Sequence, residues 1–317
     1  MPGTVWYRDD FDATPVCEQL RDALGGIGTD EDAVIRLLGN HSWKQRLEIA
    51  ESYKTAYGKD LIEDMKSELS GDFEEVTVAM LTEPRKLDAQ ELHDAISGAG
   101  TDETTIVEVL CTKTNDEIEE IKAVYKEMFD SELEEDLCSD TSGYFRRLMV
   151  SLMAAGRQEN GFNVDDDQAA EDAQKFFDAG EARWGTEEAE LNAILCLRSR
   201  PQLLMTFYKF EEIAGKTIEE SISDECSGDL QEGYLAIVES TKDMPGFFAR
   251  RIRDCVDGLG TRDSHLIRII VTRSEIDMEE IEEAYRAKYE TSVLETIDSE
   301  CSGDYKKMLV ALVTLQE

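Results

Sequence analysis

Four times along this chain a glycine-rich turn is followed, at one fixed distance, by an acid. Gly26-Ile27-Gly28-Thr29-Asp30-Glu31 returns as Gly98-Ala99-Gly100-Thr101-Asp102-Glu103 and as Gly258-Leu259-Gly260-Thr261-Arg262-Asp263. Arg183-Trp184-Gly185-Thr186-Glu187-Glu188 stands between them as an altered copy. A carboxylate lies 40 residues after each Gly-Thr glycine: Glu68, Asp140, Glu225 and Glu300. Two residues further on, every copy reads Ser-Gly. The successive glycines are 72, 85 and 75 residues apart, too long a period for TPR, ankyrin or HEAT units. Each repeat must therefore be a small bundle of several helices.

The first repeat shows the unit. Cys17 to Leu24 predicts a short helix ending at Gly25-Gly26. Thr29 starts a second, with Asp30 and Glu31 in the first turn, where the helix dipole favours acids. Val34, Leu37 and Leu38 form its apolar stripe, recurring as Ile106, Val109, Leu110, as Leu191, Ile194, Leu195, and as Leu266, Ile269, Ile270. A third helix spans about 42–57 and carries an aromatic kept in all copies: Tyr53, Tyr125, Phe210 and Tyr285. A fourth, about 61–69, delivers Glu68 at its C-terminal end, and a fifth runs toward Pro84. These stripes read as core. The expected organisation is a head, 1–14, then repeats at 15–86, 87–156, 169–243 and 244–317. Residues 157–168 form an exposed linker dividing the array into halves, and Asp165-Asp166-Asp167 reads as a helix start. Trp6 and Tyr7 of the head are candidates for docking on the core.

Charge bounds the partners. The net charge of -38 repels nucleic acid and bare anionic membrane alike. Seven cysteines without CxxC or Cys/His zinc spacing read as thiols in a reducing compartment. No signal peptide or membrane-spanning run is seen, so a soluble, cytoplasmic protein is expected, with non-classical export left open.

A Gly-x-Gly turn can point backbone carbonyls outward, because glycine tolerates the required conformations. Calcium takes 6–8 oxygens, commonly mixing carbonyls, water and a bidentate carboxylate. A loop alone supplies too little charge, so the acid 40 residues away must fold back onto it. For one copy, simple helix punctuation is the better reading. Four copies at one offset reverse that preference.

Gly-x-Gly-Thr, about 38 residues, then Asp/Glu-x-Ser-Gly, in four copies, resembles the annexins over about residues 13–317. The resemblance implies an all-α fold: four repeats of five helices in a curved disc, loops on the convex face. It implies Ca2+ as cofactor and reversible, calcium-dependent binding to anionic phospholipid such as phosphatidylserine, and it leaves self-association on membranes open. Carried over by position, the first site takes the carbonyls of Leu24, Gly26 and Gly28 with Glu68. The second takes Ile96, Gly98, Gly100 and Asp140; the third Gly180, Arg183, Gly185 and Glu225; the fourth Val256, Gly258, Gly260 and Glu300. Accessory sites are implied at Thr29/Glu31, Thr101/Glu103, Thr186/Glu188 and Thr261/Asp263, where dipole stabilisation competes as an explanation. Trp184 takes the place of the family's membrane-entering tryptophan, an indole suiting that boundary.

The usual loop lysine is replaced by Gly25, Ser97 and Asp257, and Arg183 is the lone basic residue before a Gly-Thr. Strong dependence on calcium follows. His41, Lys113, Arg198 and Arg273 vary where the family keeps a basic residue, so no polar channel is carried over. An enzyme is disfavoured: His41, His93 and His265 lie in different repeats, without HExxH, nucleophile elbow or P-loop. The remaining alternative is a soluble acidic calcium-binding scaffold acting through protein partners.

Overall fold

In the computed structural model the described residues are 3–26, 28–98, 100–159, 163–181, 188–258 and 260–315. Among them are twenty α-helices and no strand, five helices per repeat, so the all-α expectation holds. Repeat 1 holds α1 (Ala13–Ala23), α2 (Glu31–Gly39), α3 (Trp43–Tyr57), α4 (Leu61–Glu68) and α5 (Gly71–Leu81). Repeat 2 holds α6 (Pro84–Ile96), α7 (Glu103–Thr112), α8 (Asn115–Phe129), α9 (Leu133–Asp140) and α10 (Gly143–Met153). Repeat 3 holds α11 (Asp166–Glu181), α12 (Glu188–Leu197), α13 (Arg200–Ala214), α14 (Ile218–Glu225) and α15 (Gly228–Lys242). Repeat 4 holds α16 (Met244–Val256), α17 (Asp263–Arg273), α18 (Met278–Tyr289), α19 (Val293–Glu300) and α20 (Gly303–Val313).

Local chemistry sets these limits. Ser42 begins α3 with a reciprocal capping box to Gln45, and Gly58 ends it in the left-handed conformation. Thr114 and Glu117 repeat the box at α8. The cap of α2 differs from expectation: Asp30, not Thr29, accepts the Ala33 N–H, and α2 starts at Glu31. A carboxylate one position nearer the helix satisfies the orphan amide and opposes the dipole at once.

The apolar stripes are core, with Val34, Leu38, Ile106, Leu195, Leu266 and Ile270 at 0% exposure. Each such side chain contributes about 1.5–3 kcal/mol on burial. The third-helix aromatics are also buried, and three of them do more than fill space. The Tyr53 hydroxyl donates to Asp64 on α4 and the Tyr125 hydroxyl to Asp136 on α9, both at 2.8 Å. Tyr285 shares a 3.0 Å bond with Thr296 on α19. These bonds pin the short helices whose last residues are the repeated acids.

The chain forms two compact units, Met1–Leu87 with Pro245–Glu317, and Asp88–Met244. In unit 1, α5 packs on α17 and α2 on α20; in unit 2, α15 packs on α7 and α10 on α12. Each unit thus pairs two repeats reciprocally, second helix against fifth. Gly39 makes one of these crossings possible, since a β-carbon there would lie 3.0 Å from the Ala311 methyl.

Most of the described residues of 157–168 are exposed, and repeats 2 and 3 on either side of the stretch belong to one unit. Its first residues are tied down: Gln158 N–H donates to Leu197 O and Asn115 Nδ2 to Arg157 O. Asp165 does start a helix, capping the Gln168 N–H. In the head, Trp6 and Tyr7 are 40% and 49% exposed. Thr4 and Val5 are buried instead, both donating backbone N–H groups to Ser274 O. Backbone hydrogen bonds hold the head down, with about half of each aromatic residue also covered.

Candidate cation-binding site

In three of the four loops the two glycines are described, Ile27, Ala99 and Leu259 between them lying outside the described residues, and the glycines share one conformation. The first loop glycine has φ of 128°, 123° and 126° at Gly26, Gly98 and Gly258. The second has 88°, 110° and 88° at Gly28, Gly100 and Gly260. Side-chain-bearing residues rarely adopt such angles, which is why glycine is required twice per loop. Each loop closes identically: Asp30, Asp102 and Arg262 N–H donate to Ala23 O, Ala95 O and Cys255 O at 2.8–2.9 Å. Leu24 and Gly26 follow the end of α1, Ile96 and Val256 are the last residues of α6 and α16, and the loop glycines are exposed.

The repeated acids also fall at one place. Glu68, Asp140, Glu225 and Glu300 are the last residues of α4, α9, α14 and α19, and all are exposed. The Ser-Gly that follows turns the chain, with φ near 60° at Gly71, Gly143, Gly228 and Gly303. In repeat 2 the loop and its acid touch: Thr101 Oγ1 donates to Asp140 Oδ2 at 2.6 Å. In unit 1, Glu31, Glu68, Thr261, Asp263 and Glu300 line one cleft of about 380 Å³. Thr29 precedes the cap of α2 at the rim of its loop. Of the third site, Gly180 lies in the last turn of α11 and Glu188 begins α12, while Arg183, Trp184, Gly185 and Thr186 lie outside the described residues.

The electrostatics are those of unneutralised acids. Burial, then the charges of Asp229, Asp102 and Asp140, hold the Glu103 carboxyl above its ordinary value. Burial and then Asp72 do the same to Asp263. The donor set is oxygen: loop carbonyls and carboxylates. Cys226 and Cys301 directly follow two of the acids, but burial pushes their thiols up to about 12 and about 11, so they stay protonated. Hard oxygens without thiolate fit calcium rather than a soft metal. No group of three or more His, Cys, Asp or Glu side chains is poised as a metal cluster among the described residues.

Sequence reasoning missed Asp72, which faces Asp263 from another repeat. The signal was available: Ser-Gly is followed by aspartate in repeats 1, 3 and 4, at Asp72, Asp229 and Asp304.

Fold and site together define a four-repeat, all-helical protein that offers glycine-loop oxygens and a distant carboxylate to a hard cation. The sequence matches the family profile described as Annexin over residues 15–80, 87–152, 171–237 and 247–312. The chain belongs to the annexin family, whose common property is calcium-dependent binding to phospholipid. It is 46% identical over 310 residues to annexin A11 of Homo sapiens, covering 98% of this chain and 61% of that protein. It is 45% identical to annexin A4 of Mus musculus over 310 residues, covering 98% of this chain and 97% of the relative. The chain thus spans less than two thirds of annexin A11 and nearly all of annexin A4. The solved structure of annexin III superposes with a TM-score of 0.96 at 39% identity, covering 100% of this chain and 98% of that one. Calcium-bound annexin (Sm)1 gives 0.87 at 30% identity, covering 98% and 93%.

Proposed function

We propose that this protein binds anionic phospholipid membranes reversibly through calcium held at its glycine loops, as a peripheral membrane scaffold or trafficking protein of the cytoplasm. The observation that carries the reading is the recurrence of one loop backbone with one closing hydrogen bond, each loop belonging to a repeat whose acid ends its fourth helix. Leu24, Gly26, Gly28 and Glu68 would hold the first ion; Ile96, Gly98, Gly100 and Asp140 the second; Val256, Gly258, Gly260 and Glu300 the fourth. Gly180, Arg183, Gly185 and Glu225 are assigned to the third by position. Bound calcium supplies positive charge and open coordination positions for lipid phosphate or carboxylate oxygens.

The protein's own residues set the conditions. The acids make the calcium-free surface repel an anionic bilayer, and the loops lack lysine to offset them. A backbone hydrogen bond closes each of the three loops in repeats 1, 2 and 4, and the glycines hold the same conformation in all three. Several weak contacts add through effective concentration, giving a steep calcium response. Among the described residues no helix is long and apolar enough to cross a membrane, which fits a peripheral attachment. Trp184 is proposed to enter the interfacial region. The test is co-sedimentation with phosphatidylserine vesicles: pelleting at millimolar calcium and release by chelator are expected. A protein that stays in the supernatant is instead a soluble calcium-binding scaffold.

A further inference from the structure

The head lies along repeats 4 and 1 of unit 1, and its contacts follow chain order. Gly3 packs so closely on the Glu275 backbone that a β-carbon there would lie 2.6 Å from the Glu275 carbonyl carbon. The Thr4 and Val5 N–H groups donate to Ser274 O at 2.7 and 3.1 Å. Arg8 N–H donates to Gln45 Oε1, and Gln45 Nε2 donates back to Arg8 O at 3.0 Å. Phe11 then meets the His41 ring edge-on, with centroids 5.1 Å apart. A titratable ring thus sits under the far end of the strap.

Its register in the repeat makes a charge there costly. Lys113, Arg198 and Arg273 hold the same place in repeats 2, 3 and 4, each paired with a carboxylate, of Asp88, Asp172 and Asp277. Repeat 1 has the buried Val16 where repeats 2 and 3 have Asp88 and Asp172. The charges that bear on His41 are instead those of Arg46 on α3 and Arg8 of the head. Arg46 is itself paired with Glu275 of repeat 4, on which Lys44 also acts. His41 Nδ1 lies 2.6 Å from Leu37 O, which can only accept, so the neutral ring carries its proton on Nδ1 and a second enters at Nε2. Burial first, and then Arg46 and Arg8, outweigh the Leu37 bond and hold the imidazole below its ordinary value.

We propose that the head is a strap released by acid: protonation of His41 places a third cation beside Arg46 and Arg8, and lifting the head withdraws Arg8 and admits water to the ring. The released state then binds the proton more tightly than the docked one. Docking therefore weakens as pH falls below about 6.5, the ordinary histidine value, and becomes constant again below the lowered docked value. A single proton limits the change to about tenfold in the docking equilibrium per pH unit. Release unties residues 3–12 from both repeats, and it needs neither calcium nor lipid.

Amide hydrogen exchange on the intact, calcium-free chain tests this, with each rate divided by its intrinsic rate at the same pH. Protection of the Thr4 and Val5 N–H groups is expected to fall severalfold between about pH 7.5 and about pH 5.5, while the buried Ile49 and Leu309 amides keep theirs. His41→Asn retains a donor for Leu37 O, and His41→Phe retains a ring for Phe11; neither can charge, and both should show protection that ignores pH. Arg8→Gln should make the fall shallower, because the head then brings no cation to the ring. Constant protection in the wild-type chain overturns the proposal, as does an undiminished fall in both His41 variants. An Arg8→Gln slope equal to that of the wild type overturns the repulsion on which it rests. A fall shared equally by Ile49 and Leu309 also overturns it, since that is general loosening and not release of a strap.

Discussion

Repeat 2 holds its distant acid on the loop, whereas unit 1 turns its acids into a shared cleft. In repeat 2 the Thr101 hydroxyl occupies Asp140 Oδ2, so that carboxylate is oriented before any ion arrives. In unit 1, Glu68 and Glu300 look into a space also lined by Glu31, Asp72 and Asp263. One motif thus supports two kinds of readiness: a pre-set acid with its charge already hydrogen-bonded, and an open cleft with its charges still unbalanced. In the first the acid needs no reorientation when a cation arrives; in the second a cation would relieve repulsion among acids of two repeats.

The largest effect should come from removing the acids by unit. Replacing Glu68, Asp140, Glu225 and Glu300 together by Ala is expected to abolish calcium-driven vesicle binding. The doubles Glu68→Ala/Glu300→Ala and Asp140→Ala/Glu225→Ala should each raise the calcium midpoint about tenfold, roughly 1.4 kcal/mol, because surviving loops still bind multivalently. Vesicle co-sedimentation against calcium reads all three. If the quadruple variant pellets like the parent, the acids are not ligands and the comparison has no functional content.

Much of this was legible in the chain. Glycine pairs, capping residues and the fixed 40-residue offset defined the loops, the helices and the acids, because all of these act over one repeat. The pairing of repeat 1 with repeat 4 was not legible: α5 and α17 meet across nearly 200 residues, and no periodicity encodes a contact that long. In the head, Trp6 and Tyr7 stand out in the sequence, whereas nothing in it signals that the backbone of Thr4 and Val5 reaches Ser274 O. Aspartate at position 72 looked like another surface acid, and only the fold sets it against Asp263.

A second difference between the units lies at the start of a third helix. In unit 1 the Trp43 N–H donates to Glu275 at 2.6 Å, and in unit 2 the Asn115 N–H donates to Glu159 at 2.8 Å. Glu159 is exposed, whereas Glu275 is the anion beside Arg46, a guanidinium only 1% exposed, at 3.6 Å. Burial pushes Arg46 down to about 10 despite that partner, and one of its nitrogens, Nη2, makes no hydrogen bond. Glu275→Ala would strand the buried cation and should cost about 3 kcal/mol, against about 1 kcal/mol or less for Glu159→Ala. Denaturant unfolding of both variants checks this. Equal losses would mean that the Arg46–Glu275 pair is no more committed than the exposed contact.

Thr101→Val tests the pre-set acid directly. It removes the hydroxyl while keeping the side-chain volume, so Asp140 loses its orientation and little else. Calcium affinity at repeat 2 should weaken about threefold, an effect of roughly 0.7 kcal/mol, within the range of a single net hydrogen bond. Calcium titration of the lipid-free chain measures it, and the unit 1 sites should not change. A tighter second site would show instead that the Thr101 bond competes with the metal.

The smallest expected effect is the pH dependence contributed by Glu275 of unit 1. Burial, outweighing Arg46 and the Trp43 N–H, holds the Glu275 carboxyl above its ordinary value. In the unfolded chain it ionises near pH 4. Between that value and the raised folded one, the native state binds more protons than the unfolded state, so stability must fall as pH rises. Below the window both states are protonated and the penalty vanishes; above it the penalty is complete and constant. Glu275→Gln keeps the size and an acceptor for the Trp43 amide but cannot ionise, so it removes this slope while also withdrawing the anion that offsets Arg46. The melting temperature of the wild type minus that of Glu275→Gln, followed in chelator, should therefore decline as pH rises from 4 and then level off. A difference that instead grows with pH would show the ion pair with Arg46 outweighing burial.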